Sequence, residues 1–162
     1  MKKLIFQTDL CIGCQNCELA CSIFKAESFS SATSRIKTFQ FVNKSLFLSI
    51  FCQQCEKPPC LKVCEPKALF RNIETGVVHL DVSQCNKCYL CLEACPYGGL
   101  SLPSEKEYPI KCDLCGGEPK CVDYCPTAAL SFAEDDKQYS KTQKVTAARM
   151  MKKTRLREDT NE

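Results

Sequence analysis

The sequence predicts an α+β fold assembled from four short repeated units, each built around a loop of cysteines, with a basic helical tail behind them. Three observations carry this. All 16 cysteines fall into four quartets of one spacing pattern. A short β-branched or aromatic run precedes each quartet. Beyond Phe132 the cysteines stop and the composition turns basic.

The first quartet is Cys11-x2-Cys14-x2-Cys17-x3-Cys21, behind Leu4-Ile5-Phe6. The second, Cys52-x2-Cys55-x4-Cys60-x3-Cys64, follows Leu46–Phe51. The third, Cys85-x2-Cys88-x2-Cys91-x3-Cys95, follows Val77-Val78-His79-Leu80 and runs into Pro96. The fourth, Cys112-x2-Cys115-x5-Cys121-x3-Cys125, follows the weaker run Tyr108-Pro109-Ile110 and runs into Pro126. The tails match as well: Cys95-Pro96-Tyr97-Gly98-Gly99-Leu100 parallels Cys125-Pro126-Thr127-Ala128-Ala129-Leu130, and in Cys64-Glu65-Pro66-Lys67-Ala68-Leu69 the proline comes one place late. Each unit therefore reads as strand, cysteine loop, a helical turn or more, then strand. Asn72–Gly76 is expected to turn one hairpin, and Asn43-Lys44 a second between Arg35–Val42 and Ser45–Phe51.

This spacing suits an iron–sulfur cubane. Three thiolates must converge on three corners of one small cube, and a loop with two residues between ligands can curl around it with its N–H groups turned toward the sulfides. The last x3 step has helical spacing, so the fourth cysteine is expected to start a helix, point away from the other three and serve a different cluster. Gly13 leaves room beside a cluster, but Gln54, Lys87 and Leu114 hold the matching places, so glycine is not required there. Zinc sites separate their cysteine pairs by 12 or more residues as a rule, unlike these quartets. Eight disulfides would need an oxidising compartment and give no reason for fourfold repetition. The start of the chain reaches Asp9 and Cys11 before any signal-length apolar run, and no stretch approaches the roughly 18 apolar residues of a membrane span. A cytoplasmic protein without direct membrane insertion is the expectation.

The formal charge of +3 counts thiols as neutral. Sixteen thiolates with four cubane cores of about +2 each would bring the loaded chain to about −5, so the basic balance is no argument for nucleic acid. With one histidine there is no Ser/His/Asp set, and no glycine-rich nucleotide fingerprint is present. His79 reads as an exposed or edge histidine. Lys87 is either a charge that raises a cluster potential or an ordinary solvated lysine.

The four quartets, their Cys-Pro-x-x-Ala-Leu tails and the Leu69–Asp81 hairpin resemble the four-cluster ferredoxin-type subunits that partner molybdopterin oxidoreductases, over about residues 1–133. The resemblance implies a tandem ferredoxin-like domain with two [4Fe–4S] clusters per lobe: an inner lobe over about 45–103, and an outer lobe of 1–44 with 104–133. It also implies a nested ligand pairing. Cys11, Cys14 and Cys17 would share a cluster with Cys125; Cys112, Cys115 and Cys121 with Cys21; Cys52, Cys55 and Cys60 with Cys95; Cys85, Cys88 and Cys91 with Cys64. Pairing of sequence neighbours is the competing connectivity. Some relatives lose one cysteine; this chain keeps all 16, which implies four [4Fe–4S] clusters.

The implied function is that of a non-catalytic electron-transfer subunit. Its shortness is similar to the small subunits of formate dehydrogenase–hydrogenase assemblies, with partners of carbon monoxide dehydrogenase or of tungsten aldehyde oxidoreductase as rivals, and a free-standing polyferredoxin beyond those. Expected partners are a molybdopterin or tungstopterin enzyme, a hydrogenase or carbon monoxide dehydrogenase, and another polyferredoxin subunit. In the 134–162 tail, Lys137–Glu162 carries eight Lys/Arg against three Asp/Glu. A helix over about 137–157 has only a thin apolar stripe (Tyr139, Val145, Ala148, Met151, Leu156). It reads either as a solvated end or as a docking arm that orders on a partner.

Overall fold

The computed structural model describes residues 2–41 and 46–134 of the 162-residue chain. Each of the four units runs strand, cysteine loop, helix, strand. The first comprises β1 (Lys2–Phe6), α1 (Asn16–Ala26) and β2 (Ile36–Phe41); the second β3 (Leu46–Phe51), α2 (Pro59–Lys62) and β4 (Leu69–Arg71). The third comprises β5 (Val78–Leu80), α3 (Leu90–Ala94) and β6 (Leu100–Ser101); the fourth β7 (Ile110–Lys111), α4 (Lys120–Asp123) and β8 (Leu130–Glu134).

The strands pair two by two, all antiparallel: β1 with β8, β2 with β3, β4 with β5 and β6 with β7. The first and fourth units thus meet through β1–β8, and also through α1 packed on α4; α2 packs on α3. Period-2 burial marks β1: Leu4 and Phe6 turn inward while Lys3 and Ile5, on the other face, stay half-buried. They enter a core with Ile36, Phe51, Leu114 and Leu130, and a second core gathers Leu69, Val78 and Leu100 around Cys60, Cys91 and Cys95. Leu48 and Phe51 of β3 lie in the first of these cores, with residues from both chain ends, although the expected lobe boundary falls at 44/45.

The Asn72–Gly76 turn forms as expected, with the Asn72 Oδ1 accepting from the N–H groups of Glu74 and Thr75 at 2.9 Å each. Strands β2 and β3 form the second hairpin, in register from Ile36↔Phe51 to Phe41↔Leu46; its Asn43-Lys44 turn lies outside the described residues. So does the expected helix over 137–157.

One expectation is corrected. The fourth cysteine of a unit does not start a helix. The helix starts at or just before the third cysteine (Cys17, Cys60, Cys91, Cys121), and the fourth lies within α1 in the first unit and past the end of the helix in the others. Proline explains the difference. Pro96 and Pro126 directly follow their cysteines, and a residue before proline is pushed out of the helical region; Cys95 accordingly sits at φ −83°, ψ 109°. The first unit has no proline after Cys21, and α1, 11 residues in all, runs on past it to Ala26.

Candidate metal centres

The x2 loops bend at one shared place. The residue just before the second cysteine of each quartet is left-handed in all four units: Gly13 at φ 69°, Gln54 at 46°, Lys87 at 61° and Leu114 at 56°. Three of the four carry a side chain there, at a cost of about 1–2 kcal/mol each. A left-handed residue inside such a turn brings successive N–H groups to one side of the loop, a concavity suited to anionic centres such as iron–sulfur clusters. A second left-handed position recurs three residues after the last cysteine, at Lys67, Gly98 and Ala128.

These bends gather the sulfurs. One recess of about 310 Å³ is lined by Cys11, Cys14, Cys17 and Cys125, with Phe6 and Leu130. A second, of about 320 Å³, is lined by Cys112, Cys115, Cys121 and Cys21. A third, of about 310 Å³, is lined by Cys85, Cys88, Cys91 and Cys64. The remaining four sulfurs lie close enough that Cys52, Cys95 and Cys55 act electrostatically on Cys60. Gly99 closes that group: its N–H donates to the Cys95 Sγ at 3.3 Å, and a Cβ on it would stand 2.8 Å from the Cys52 Cα.

Backbone donors meet two more of the cysteines that come from another unit. The N–H of Arg35 donates to the Cys21 Sγ and that of Leu69 to the Cys64 Sγ, both at 3.3 Å. Hydroxyls stand by the other recess, with Thr38 Oγ1 3.5 Å from the Cys17 Sγ and Thr127 Oγ1 3.9 Å from that of Cys125. Hydrogen bonds of this kind favour the thiolate form.

Burial opposes them. It pushes the thiols of Cys60 and Cys91 up to about 11 and that of Cys112 up to about 12, with neighbouring cysteines adding to the rise. Cys11, Cys17 and Cys121 are raised too, again first by burial. A positive centre beside such sulfurs offsets the burial and favours the thiolate, which is what iron would provide. All 16 are free thiols. Among the described residues no three His, Cys, Asp or Glu side chains close on one point as a lone metal ion requires. Four-sulfur recesses of nearly equal size, lined by apolar side chains and N–H donors, fit a cubane cluster.

Several residues around the recesses leave no mark in the sequence. Asp113, between Cys112 and Leu114, receives Arg35 at 2.8 Å, Lys25 at 2.9 Å and the Cys115 N–H at 3.1 Å. Burial raises its carboxyl, but Lys25 and Arg35 outweigh that and leave it below the ordinary carboxylate value. Gln54 and Lys111 are buried at 2% and 5% exposure. Lys87 is ion-paired with Glu107, and His79 stacks on Phe70 with ring centroids 5.9 Å apart.

Comparison with known proteins assigns the family. The model of the 4Fe-4S dicluster domain matches residues 43–135, more than half of the chain.

The chain belongs to the 4Fe-4S dicluster family.

Individual relatives agree. A polysulfide reductase component of Wolinella succinogenes is 33% identical over 165 residues, covering 90% of this chain and 83% of its own length. The thiosulfate reductase electron transfer subunit PhsB of Salmonella typhi is 36% identical, covering 78% and 72%. The electron transport protein HydN of Escherichia coli is 34% identical, covering 83% and 89%. Among solved structures, the active site complex BamBC of benzoyl coenzyme A reductase matches with a TM-score of 0.50 at 25% identity, over 85% of this chain and 82% of that one. As a 4Fe-4S dicluster protein, the chain has a ferredoxin-like fold of small sheets and few helices, and its cofactors are four [4Fe–4S] clusters. It is an iron–sulfur electron-transfer protein of the kind that serves oxidoreductase complexes. Among the described residues no helix is long and apolar enough to cross a membrane.

Proposed function

We propose that this chain is a non-catalytic cytoplasmic subunit that relays electrons through four clusters between a formate dehydrogenase and a hydrogenase. Within it we assign each four-sulfur group as one ligand set: Cys11, Cys14, Cys17 with Cys125; Cys112, Cys115, Cys121 with Cys21; Cys52, Cys55, Cys60 with Cys95; and Cys85, Cys88, Cys91 with Cys64. The cysteines that line the three recesses support three of these sets, and the closeness of Cys52, Cys55 and Cys95 to Cys60 supports the fourth. It implies an outer lobe built from both chain ends and an inner lobe between them. The formate and hydrogen partners rest on the shortness of the chain, which the sequence resemblance connects with such assemblies.

Bound clusters supply one-electron couples whose potentials depend on their surroundings. The chain's own residues set where those couples sit. Cys17 acts on Cys121, and Cys52 acts on Cys112, so the first group neighbours the fourth-unit group, which neighbours that of Cys52. Cys60 and Cys91 share one core, which puts the last group beside the third. The order along the path is therefore the groups of Cys11, Cys112, Cys52 and Cys85. Phe6 and Leu114 share one core with Cys17, Cys21, Cys112 and Cys121, and Leu69 and Val78 share the other with Cys60, Cys91 and Cys95. The 134–162 tail is proposed as a docking arm.

A second reading takes its support from the names of two relatives: a partner that reduces polysulfide or thiosulfate. Anaerobic purification of the tagged chain from its native source separates the two. Recovery of formate dehydrogenase and hydrogenase, with formate bleaching the iron–sulfur absorbance, is the expected result; recovery of a sulfur-compound reductase selects the second reading. A chain that elutes alone near 18.2 kDa contradicts both.

A further inference from the structure

Lys111 is a charged residue in an unusual place. It ends β7 directly before Cys112 and is only 5% exposed. Its Nζ donates to the carbonyl of Val78 at 2.7 Å and to that of Cys112 at 3.0 Å. The described ion pairs give it no carboxylate. Gln54, in the second cysteine loop, completes the arrangement. Its Nε2 donates to the same Cys112 carbonyl at 2.9 Å, and its Oε1 accepts from the Val78 N–H at 2.9 Å. Val78, Gln54, Cys112 and Lys111 thus form a closed polar ring joining the second, third and fourth units.

A hydrogen-bonding role alone would not need a lysine. An ammonium taken out of water loses its hydration and persists where a counter-charge offsets that loss. Two carbonyls are dipoles, not counter-charges. The groups that flank the ring are cysteine sets: Gln54 lies between Cys52 and Cys55, and Lys111 adjoins Cys112. The Lys111 ammonium reaches both sides: it shares the Cys112 carbonyl with the Gln54 side chain, which projects from the Cys52–Cys55 loop. Four thiolates around a core of about +2 leave a net negative centre on each side, which is the missing counter-charge.

We propose that the Lys111 ammonium is an electrostatic bridge between the Cys52/Cys55/Cys60/Cys95 site and the Cys112/Cys115/Cys121/Cys21 site, raising the reduction potential of both. It is a positioning residue for charge and touches no substrate. In the step it assists, one electron leaves one site and arrives at the other, with no bond made and no proton moved. A cation between the two sites stabilises the added negative charge on either. The inference rests on the ligand sets assigned above.

The test is a redox titration of the full-length loaded protein, followed by low-temperature electron paramagnetic resonance, on the native chain and on Lys111→Met, Lys111→Gln and Lys111→Arg. Iron per chain is measured on each. The two neutral variants should lower two of the four midpoint potentials and leave the other two in place. Each affected site should become about tenfold harder to reduce, which is ~59 mV for a one-electron couple. Lys111→Arg, which keeps the charge, should stay near the native values. Four unchanged potentials, four that fall together, or an arginine variant that behaves like methionine would overturn the proposal. If neither neutral variant loads iron while Lys111→Arg does, Lys111 belongs to the fold and the proposal falls as well. Native protein without four titrating centres would instead overturn the ligand assignment beneath it.

Discussion

Asp113 ties three parts of the chain together through one carboxylate: Lys25 of α1, Arg35 before β2, and the N–H of Cys115 in its own loop. Its depressed carboxyl contributes stability that is fully present above the ordinary value of 3.8 and is lost as pH falls through its lower folded value. Hydrogen exchange of the α1 amides should therefore lose protection below about pH 4 in the native chain. Asp113→Asn should be less protected already at neutral pH, by about 1 kcal/mol, with no further change on acidification. Equal, pH-independent protection in both proteins would remove Asp113 from this role. The ligand assignment is tested at the same scale. Cys125→Ser should disturb the one centre that Cys11, Cys14 and Cys17 line, leaving about 12 of about 16 irons or a single altered resonance. If the disturbed centre is instead the one near Cys112, Cys125 belongs to its own quartet and the nested assignment is wrong. Arg35 adds a backbone bond to Cys21, so charge and sulfur are set by one residue.

The repeating element is strand, bent loop, short helix, strand, and most of it is legible in the sequence. Quartet spacing locates the loops, β-branched runs locate the strands, and Asn72–Gly76 locates a turn because asparagine and glycine supply what a turn requires. The helix starts are not legible from spacing, because an i, i+4 step does not say which cysteine begins the turn; the prolines after Cys95 and Cys125 rule out only the last one, in two of the units. The left-handed bends are legible only at Gly13, since Gln54, Lys87 and Leu114 carry no outward sign of a positive φ. Lys111 and Gln54 escape for a related reason: lysine and glutamine are surface residues by default, and only the fold reveals them as buried. Gly99 shows how tightly the element is fitted. Its neighbour at 2.8 Å is the Cys52 backbone rather than a movable side-chain end, so Gly99→Ala has to displace the loop. The substitution should cost about 1–3 kcal/mol in the denaturation midpoint and preferentially empty the Cys52/Cys55/Cys60/Cys95 site. Full iron loading with an unchanged midpoint would show that this contact does not constrain the loop.

At the scale of the whole molecule, cysteine does much of the work that aliphatic side chains do elsewhere. Cys17, Cys21, Cys112 and Cys121 lie in one core and Cys60, Cys91 and Cys95 in the other, so metal binding and folding are one process. Iron chelation should abolish cooperative unfolding, and circular dichroism that is unaltered after complete iron removal would contradict that. Removal of residues 137–162 should leave the iron content intact and weaken recovery with the partner subunits; undiminished recovery would show that the tail is not a docking arm. The charge of the chain follows the same logic: a formal +3 becomes negative once the sulfurs are ionised around iron, so partner surfaces are expected to meet an acidic body with a basic end. Relay, folding and charge all depend on the proposed enclosure of four cubanes by the 16 sulfurs. Mössbauer spectroscopy of anaerobically purified, iron-57-enriched protein, with metal content measured on the same sample, tests this most directly. About 16 irons per chain, all in [4Fe–4S] clusters, is the predicted result; zinc in the sites, or iron well short of that number after full reconstitution, would contradict it.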